Sequence, residues 1–290
     1  MSDEIIPSLS PLNHDIAEEI ASHLSFVSLL YFSNTCHAAR SIARKQVETR
    51  IIAMLSIFFP RNPRRLHALL REHGVVVNGT AIIHMLSSAT SWEPRDLNLL
   101  APQGHAQPIT DFLLGEGCLD NGEMQMEWNF AIDASNFHEY QMPDIGNIDG
   151  KKIMILESRT PSIWPSVLFA MSSAQMDVVT PHHIISLHPY LSPNGKALCR
   201  SWSDREWYEM RGLTVIKPDD PHGPNGLWCP MRVRSMTGGR GIGLYEWNES
   251  PGASDDETSQ LVKSGFDSTD GVSWQIGRMC ENTSCPYFTP

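Results

Sequence analysis

The chain has 290 residues, of which 41% are hydrophobic and 19% charged, so it can form one large domain or two smaller ones around a packed core. Its 33 acidic and 22 basic residues leave a net charge of −11, which argues against a nucleic-acid partner. No run approaches the roughly 20 apolar residues of a membrane span, and the N-terminus is acidic where a secretory signal is basic, so we expect a cytoplasmic or nuclear protein without a membrane partner.

The N-terminal quarter of the chain shows the periodicity of short α-helices. Ile16, Ile20 and Leu24 recur every four positions and would form one apolar stripe. Pro60 interrupts the helical pattern, and Gly74 ends it. Further helices are predicted over Val27 to Ala39, Ile42 to Phe59 and Leu66 to Leu70.

From Gly74 onward, short β-branched and alternating segments predict strands. The predicted strands are Val75 to Val77, Arg95 to Leu100, Met124 to Asp133 and Lys152 to Leu156. Two segments, Ala81 to Leu86 and Ser166 to Val179, are predicted to be helical. After Ser192, Gly, Pro and polar residues predominate, so we expect irregular structure with one β-hairpin over Arg232 to Trp247.

The N-terminal helices also carry a specific set of residues. Leu12-Asn13-His14-Asp15-Ile16 opens the pattern, and Thr35-Cys36 followed by Arg40 closes it. This pattern resembles the F-box, with Asn13 in place of the usual Pro. In that family an apolar stripe binds a Skp-type adaptor of a cullin ubiquitin ligase. The resemblance implies six positions that contact the adaptor or pack the module, namely Leu12, Ile16, Ile20, Leu24, Leu29 and Leu30. The alternative is an amphipathic helix pair that packs only on its own domain.

A second pattern begins at Val75. A buried strand leads into a Gly79-Thr80 turn, a helix follows, and the next strand carries Asp96-Leu97-Asn98. This order resembles the nucleotidyltransferase fold. The resemblance implies that Gly79 and Thr80 bind the phosphates of a nucleotide through backbone N–H groups. It also implies that the side chains at i and i+2 of the second strand hold Mg²⁺ with the nucleotide.

The chain departs from that family at the positions that carry the chemistry. Asn98 replaces the second acid, and Met154, which cannot bind a hard cation, stands where the third is expected. Asp133 is a stand-in for the third acid, whereas Glu157 would face the opposite side of a regular strand. We therefore expect a retained fold without catalysis. If the site is active, Asp96, Asn98 and Asp133 would be catalytic, and Asp96 would bind the metal.

The order of these motifs defines a wider resemblance and a domain organisation. A Trp-x-Pro-x-Asp-Leu entry at residues 92–97 and a Lys-Ile-x-Ile-Leu strand at residues 152–156 are similar to those of a set of fungal F-box-like proteins. We predict an α+β fold. It would have a helical F-box-like module over residues 1–60, a mixed-sheet nucleotidyltransferase-like domain over residues 61–191 and an irregular C-terminal extension over residues 192–290.

Three functions follow from these patterns. The first is a non-catalytic interaction protein of F-box type, a pseudoenzyme scaffold that binds a Skp-type adaptor and an unknown protein partner without a cofactor. The second is a Mg²⁺-dependent nucleotidyltransferase or nucleotide-binding protein that uses Gly79, Thr80 and Asp96. The third is a structural or self-associating protein. The loss of two carboxylates favours the first, because it weakens a divalent-cation site and leaves a protein-binding surface unaffected.

The cysteines and histidines form no specific metal motif in the sequence. Cys280 and Cys285 are a loose pair, and the cluster of His182, His183 and His188 is expected by chance among 12 histidines. In a reducing compartment the six cysteines are expected to be thiols. The sequence therefore predicts no metal site, and a zinc site among the cysteines and histidines of the C-terminal third, which also holds Cys229, stays the alternative.

Overall fold

A computed structural model provides the fold of the chain. It describes residues 11–86, 92–123, 134–141, 150–168, 170, 172–199, 204–217, 220, 226, 228–235, 243–247, 273–276, 280 and 282–288. Within these residues, no helix combines the length and the apolar character that crossing a membrane requires.

The described residues contain eight α-helices, most of them in the first half of the chain. They are α1 (Pro11–His23), α2 (Phe26–Ser33), α3 (His37–Phe58), α4 (Pro63–Glu72), α5 (Thr80–Leu86), α6 (Gln107–Gly115), α7 (Trp164–Leu168) and α8 (Arg205–Glu209), with 3-10 turns at Ser173–Gln175 and Ser192–Asn194. The longest helix, α3, buries Val47, Ile51, Leu55 and Phe58 along one face, as their spacing predicts.

The strands of the described residues form one large sheet and two small ladders. They are β1 (Val76–Asn78), β2 (Asp96–Ala101), β3 (Leu119–Glu123), β4 (Ala134–Gln141), β5 (Lys152–Ser158), β6 (Asp177–Val179), β7 (His183–Ser186), β8 (Lys196–Ala197), β9 (Thr214–Val215), β10 (Arg234–Ser235), β11 (Gly243–Glu246) and β12 (Ser273–Trp274). The large sheet has the order β11-β7-β6-β1-β2-β5-β4-β3. Within it, β2 and β5 are parallel and the other neighbours are antiparallel. The helical N-terminal part and this mixed sheet confirm the α+β class.

The residues of β1 and β2 alternate between two apolar layers, as the two-residue period of a strand requires. Val77 and Leu99 belong to the layer that includes α1 to α6. Val76 and Leu100 belong to the opposite layer, which includes Trp274 of β12. Both faces of β1 are therefore covered, which explains the run of valines at residues 75–77.

The N-terminal helices and the sheet share one hydrophobic core. Leu29 of α2 and Phe58 of α3 are fully buried in the same cluster as Leu97 of β2 and Ile153 of β5. Helices α1 to α4 therefore pack on the sheet as part of one unit.

Strand β11 extends the main sheet with residues from the C-terminal third of the chain. Leu244 and Tyr245 pair with Ile185 and Ile184 of β7. The sequence predicts a hairpin over residues 232–247, but β10 pairs with β12 and β11 pairs with β7. The physical reason is that β7 is buried along its whole length, so the backbone N–H and C=O groups on its second edge need hydrogen-bond partners, which β11 supplies.

The end of β11 contacts the N-terminal helices through aromatic rings. The Tyr245 ring meets the Phe26 ring of α2 edge-on, with 6.0 Å between centroids. The Trp247 ring lies 5.3 Å from the His67 ring of α4, and both side chains are buried. The C-terminal third of the chain thus helps to position the helical module.

Two helix predictions are wrong. Helix α2 ends at Ser33, and Cys36 is the N-cap of α3, where its Sγ accepts a hydrogen bond from the Ala39 backbone N–H at 3.4 Å. The segment from 166 to 179 contains the end of α7 and the buried strand β6, because Val178 and Val179 fill both layers of the sheet. The strand predicted over residues 124–133 lies outside the described residues.

Candidate functional site

Helix α1 has one face in the core and one in solvent. Ala17 and Ala21 are buried, whereas Ile16 and Ile20 are 55% and 51% exposed. Because residues four apart are neighbours on a helix surface, the two isoleucines form one exposed apolar strip. Burying such side chains against a partner lowers the free energy of the complex, because their apolar surface leaves water. We call Ile16 and Ile20 the α1 strip.

The other predicted contact positions divide between core and surface. Leu29 is fully buried, so it packs the module and is inaccessible to a partner. Leu24 and Leu30 are partly buried against the same core, and the side chain of Leu12 lies outside the described part. Tyr31 of α2, which the sequence analysis did not select, is 73% exposed.

Two polar contacts fix α1 on α3. Lys45 Nζ lies 2.7 Å from Glu18 Oε1, and this ion pair lowers the pKa of the Glu18 carboxyl. Arg50 Nη2 donates to the backbone carbonyls of Leu24 and Ser22 at the end of α1. A cation at these carbonyls complements the negative end of the helix dipole. The α1 strip is therefore held in one orientation.

A second candidate site surrounds the turn between β1 and α5. Gly79 has a φ of 85°, which favours glycine, and its backbone carbonyl accepts bonds from Ile82 and Ile83 at 3.1 and 3.3 Å. Thr80 is buried, and its Oγ1 donates to the backbone carbonyl of Asp96 at 3.4 Å. The structure thus brings Gly79, Thr80 and Asp96 together.

The Asp96 carboxyl lies in a partly buried setting beside a cation. Burial raises its pKa, while the Thr80 hydroxyl and the Arg211 guanidinium oppose that shift. Arg211 stacks on the Trp207 ring at 3.5 Å, and the Trp92 indole Nε1 donates to the Arg211 backbone carbonyl at 2.7 Å. The sequence analysis did not select Arg211. No motif around it indicates a contact with Asp96, which lies more than a hundred residues earlier in the chain.

Asn98 and Met154 are direct neighbours across the β2–β5 pair. The side chain of Asn98 extends over Gly79, and its Oδ1 is buried without a hydrogen-bond donor among the described residues. Glu157 pairs with Ala101 at the far end of β2, about 16 Å along the strand from Asp96. Asp133 lies outside the described residues. The acids of the sequence pattern are therefore not gathered beside the turn in the described structure.

One further acid lies beside β1. Asp177 of β6 is fully buried, and burial raises the pKa of its carboxyl to about 7 despite the nearby hydroxyls of Ser186 and Ser192. The Asn78 side chain of β1 donates to the backbone carbonyl of Gln175 at 2.6 Å. This bond holds the turn that precedes β6 against β1. The sequence gives no signal for this acid, because its burial depends on the order of the strands.

Replacing Gly79 by alanine should destabilise the fold by about 1 to 3 kcal/mol. An added Cβ would overlap Asn98 Nδ2 and lie 3.2 Å from its Cγ, and a φ of 85° strains any L-residue. A double-mutant cycle with Asn98→Ala, measured by urea denaturation, separates the two causes. The clash disappears in the Gly79→Ala/Asn98→Ala variant, which leaves about 1 to 2 kcal/mol of backbone strain. Additive effects of the two substitutions would contradict the overlap.

Comparison with known proteins bears on the first of these sites. Residues 9–50 match the family model of the F-box domain. The matched segment contains α1, α2 and most of α3, and thus the α1 strip. A search of curated proteins found no match to the chain. Residues 9–50 of this chain are therefore similar to the F-box domain.

Proposed function

We propose that the chain is a substrate-recognition or adaptor-binding subunit of a cullin ubiquitin ligase, and that its F-box domain binds a Skp-type adaptor through the α1 strip. The observation that carries the proposal is the outward orientation of Ile16 and Ile20 within the segment that matches the F-box domain. Two exposed isoleucines, side by side on a rigidly held helix, are suited to a partner that buries them.

The sheet domain would then recognise the protein to be modified. The proposal of a non-catalytic domain rests on the residues around the Gly79 turn, where Asn98 and Met154 stand next to each other in place of acids. Among the described positions of the pattern, an amide and a thioether leave Asp96 as the one carboxylate beside the turn, too few for a two-metal centre. We infer that this part of the fold is a degenerate nucleotidyltransferase-like scaffold.

Co-expression of the full chain with a Skp-type adaptor tests the adaptor-binding role. We expect a complex that elutes as one species in size-exclusion chromatography and persists at micromolar concentration. A chain that is folded by circular dichroism but elutes apart from the adaptor would remove the proposal.

Nucleotide binding is the second candidate function, favoured by the contact between Thr80 and Asp96 beside the Gly79 turn. A ligand that binds the native state raises the melting temperature. If the scaffold is degenerate, millimolar nucleoside triphosphate with Mg²⁺ should leave the melting temperature unchanged. A rise in the natural chain that is lost in Asp96→Asn would support the nucleotide-binding function instead. The absence of both the adaptor complex and the nucleotide effect would point to a structural or self-associating protein.

A further inference from the structure

Three cysteines meet in the C-terminal third of the chain. The Sγ atoms of Cys229, Cys280 and Cys285 all lie within 4.8 Å of one another, and all three side chains are buried. None of the six cysteines of the chain, all of which are described, forms a disulfide. Four thiolates at about 2.3 Å from a tetrahedral zinc ion would be about 3.8 Å apart, so a small adjustment brings these sulfurs to a shared metal.

The backbone around the cluster is folded into tight turns. The Cys229 N–H donates to the Gly226 carbonyl at 3.0 Å, and the Cys285 N–H donates to the Asn282 carbonyl at 2.9 Å. A Cβ on Gly226 would lie 3.2 Å from Cys285 Sγ and 2.9 Å from the Tyr287 ring, so the two turns are pressed against each other. Segments more than fifty residues apart thus present their thiols to one point.

Trp274 and Ile276 anchor this region in the apolar layer of the main sheet, and the structure immediately around the thiols is small. The adjacent ladder of β10 and β12 has two residue pairs, and a two-stranded ladder is marginal on its own. The apolar neighbours of the thiols are the partly buried Met231, Tyr287 and Phe288. A metal cross-link between the turn before β10 and the segment after β12 would supply stability that so small a cluster lacks.

The charge balance suits a divalent ion. Zinc binds thiolates, so three thiols release three protons to solvent and leave a net charge of −1 with one Zn²⁺. The guanidinium of Arg234, which is half-buried, donates from Nη2 to the Cys229 backbone carbonyl at 3.2 Å. Its positive charge offsets the remaining negative one. Thiolates are soft ligands, which excludes Mg²⁺ and Ca²⁺ as the natural occupant.

We propose that Cys229, Cys280 and Cys285 bind a structural Zn²⁺ that fastens the C-terminal segments of the chain to each other. The described residues supply three of the four donors of a tetrahedral site. This site is separate from the F-box domain and from the Gly79 turn, so its test is independent of the proposed function.

Metal analysis of the full chain, expressed with zinc and purified under reducing conditions, tests the proposal. Inductively coupled plasma mass spectrometry should find about one zinc per chain. Cys229→Ser and Cys285→Ser should each lower that content at least about tenfold. Cys118→Ser is the matched control, because Cys118 is also buried but belongs to the main core, and it should retain the zinc.

A second measurement on the natural chain does not depend on whether the variants fold. Exchange of the metal for Co²⁺ should give the near-ultraviolet thiolate charge-transfer band and the visible bands of a tetrahedral site. A chelator should lower the melting temperature of the natural chain and leave that of Cys229→Ser unchanged. A natural chain that holds neither zinc nor cobalt, or one in which two of the three cysteines form a disulfide under reducing purification, would overturn the proposal.

Discussion

Replacing Ile16 and Ile20 together by aspartate should weaken binding to a Skp-type adaptor by roughly 100-fold or more. The substitutions remove two apolar contacts and place two charges in a surface that the complex would dehydrate. Both side chains are about half exposed in the free chain, so the fold should lose only about 1 to 3 kcal/mol, from the partial apolar burial and the new like-charge pair, and should remain folded. Isothermal titration calorimetry with purified adaptor measures the first effect, and thermal unfolding measures the second.

Leu114→Asp is the matched control for this variant. Leu114 is a 47% exposed leucine on α6, outside the F-box domain, so the same chemical change should leave adaptor binding intact. Equal binding by the natural chain and by Ile16→Asp/Ile20→Asp would show that the adaptor does not contact the α1 strip.

Replacing Trp247 by alanine should lower the free energy of unfolding by about 3 to 5 kcal/mol. The indole is buried in the same core cluster as the N-terminal helices and packs on His67 of α4. Its removal leaves a cavity between β11 and that helix, which the surrounding backbone cannot fully close. Urea denaturation followed by fluorescence and circular dichroism measures the change.

Met210→Ala serves as the comparison for the tryptophan variant, since Met210 is 72% exposed and its truncation should cost less than about 0.5 kcal/mol. Trp247→Phe should recover part of the loss because it keeps an apolar ring at the site. A loss below about 1 kcal/mol in Trp247→Ala would mean that the C-terminal third contributes little to the core.

The parts of the fold that follow from local pattern could be predicted. The apolar face of α3 follows from the spacing of its own residues. The β-branched residues of β1 and β5 likewise indicate buried strands without reference to any other element. The residues from Leu12 to Arg40 suffice to predict the F-box-like character of the N-terminal helices, which the family match at residues 9–50 supports. The nucleotidyltransferase-like identity of the sheet domain stays a prediction.

The features that depend on distant partners could not be predicted. Strand β6 contains Asp177, a poor strand former, and its position is set by β1 and β7 on either side. The exposure of Ile16 and the burial of Leu29 follow from how α1 and α2 pack, although both residues fit one apolar pattern. Cys229 lies too far along the chain from Cys280 and Cys285 for any spacing rule to join them.

The rings that join β11 to α2 and α4 have a consequence for how a bound protein would be presented to the ligase. Phe26 and His67 contact Tyr245 and Trp247, so the N-terminal helices and the sheet are joined by packed aromatic rings as well as by the shared core, and under the proposed function they would move as one body. Under the proposed function, a substrate protein bound on the sheet would lie at a fixed distance and angle from the ubiquitin-charged enzyme. The distance and orientation of each lysine of that substrate protein would then decide whether it is modified. A longer substrate protein would present a different set of lysines.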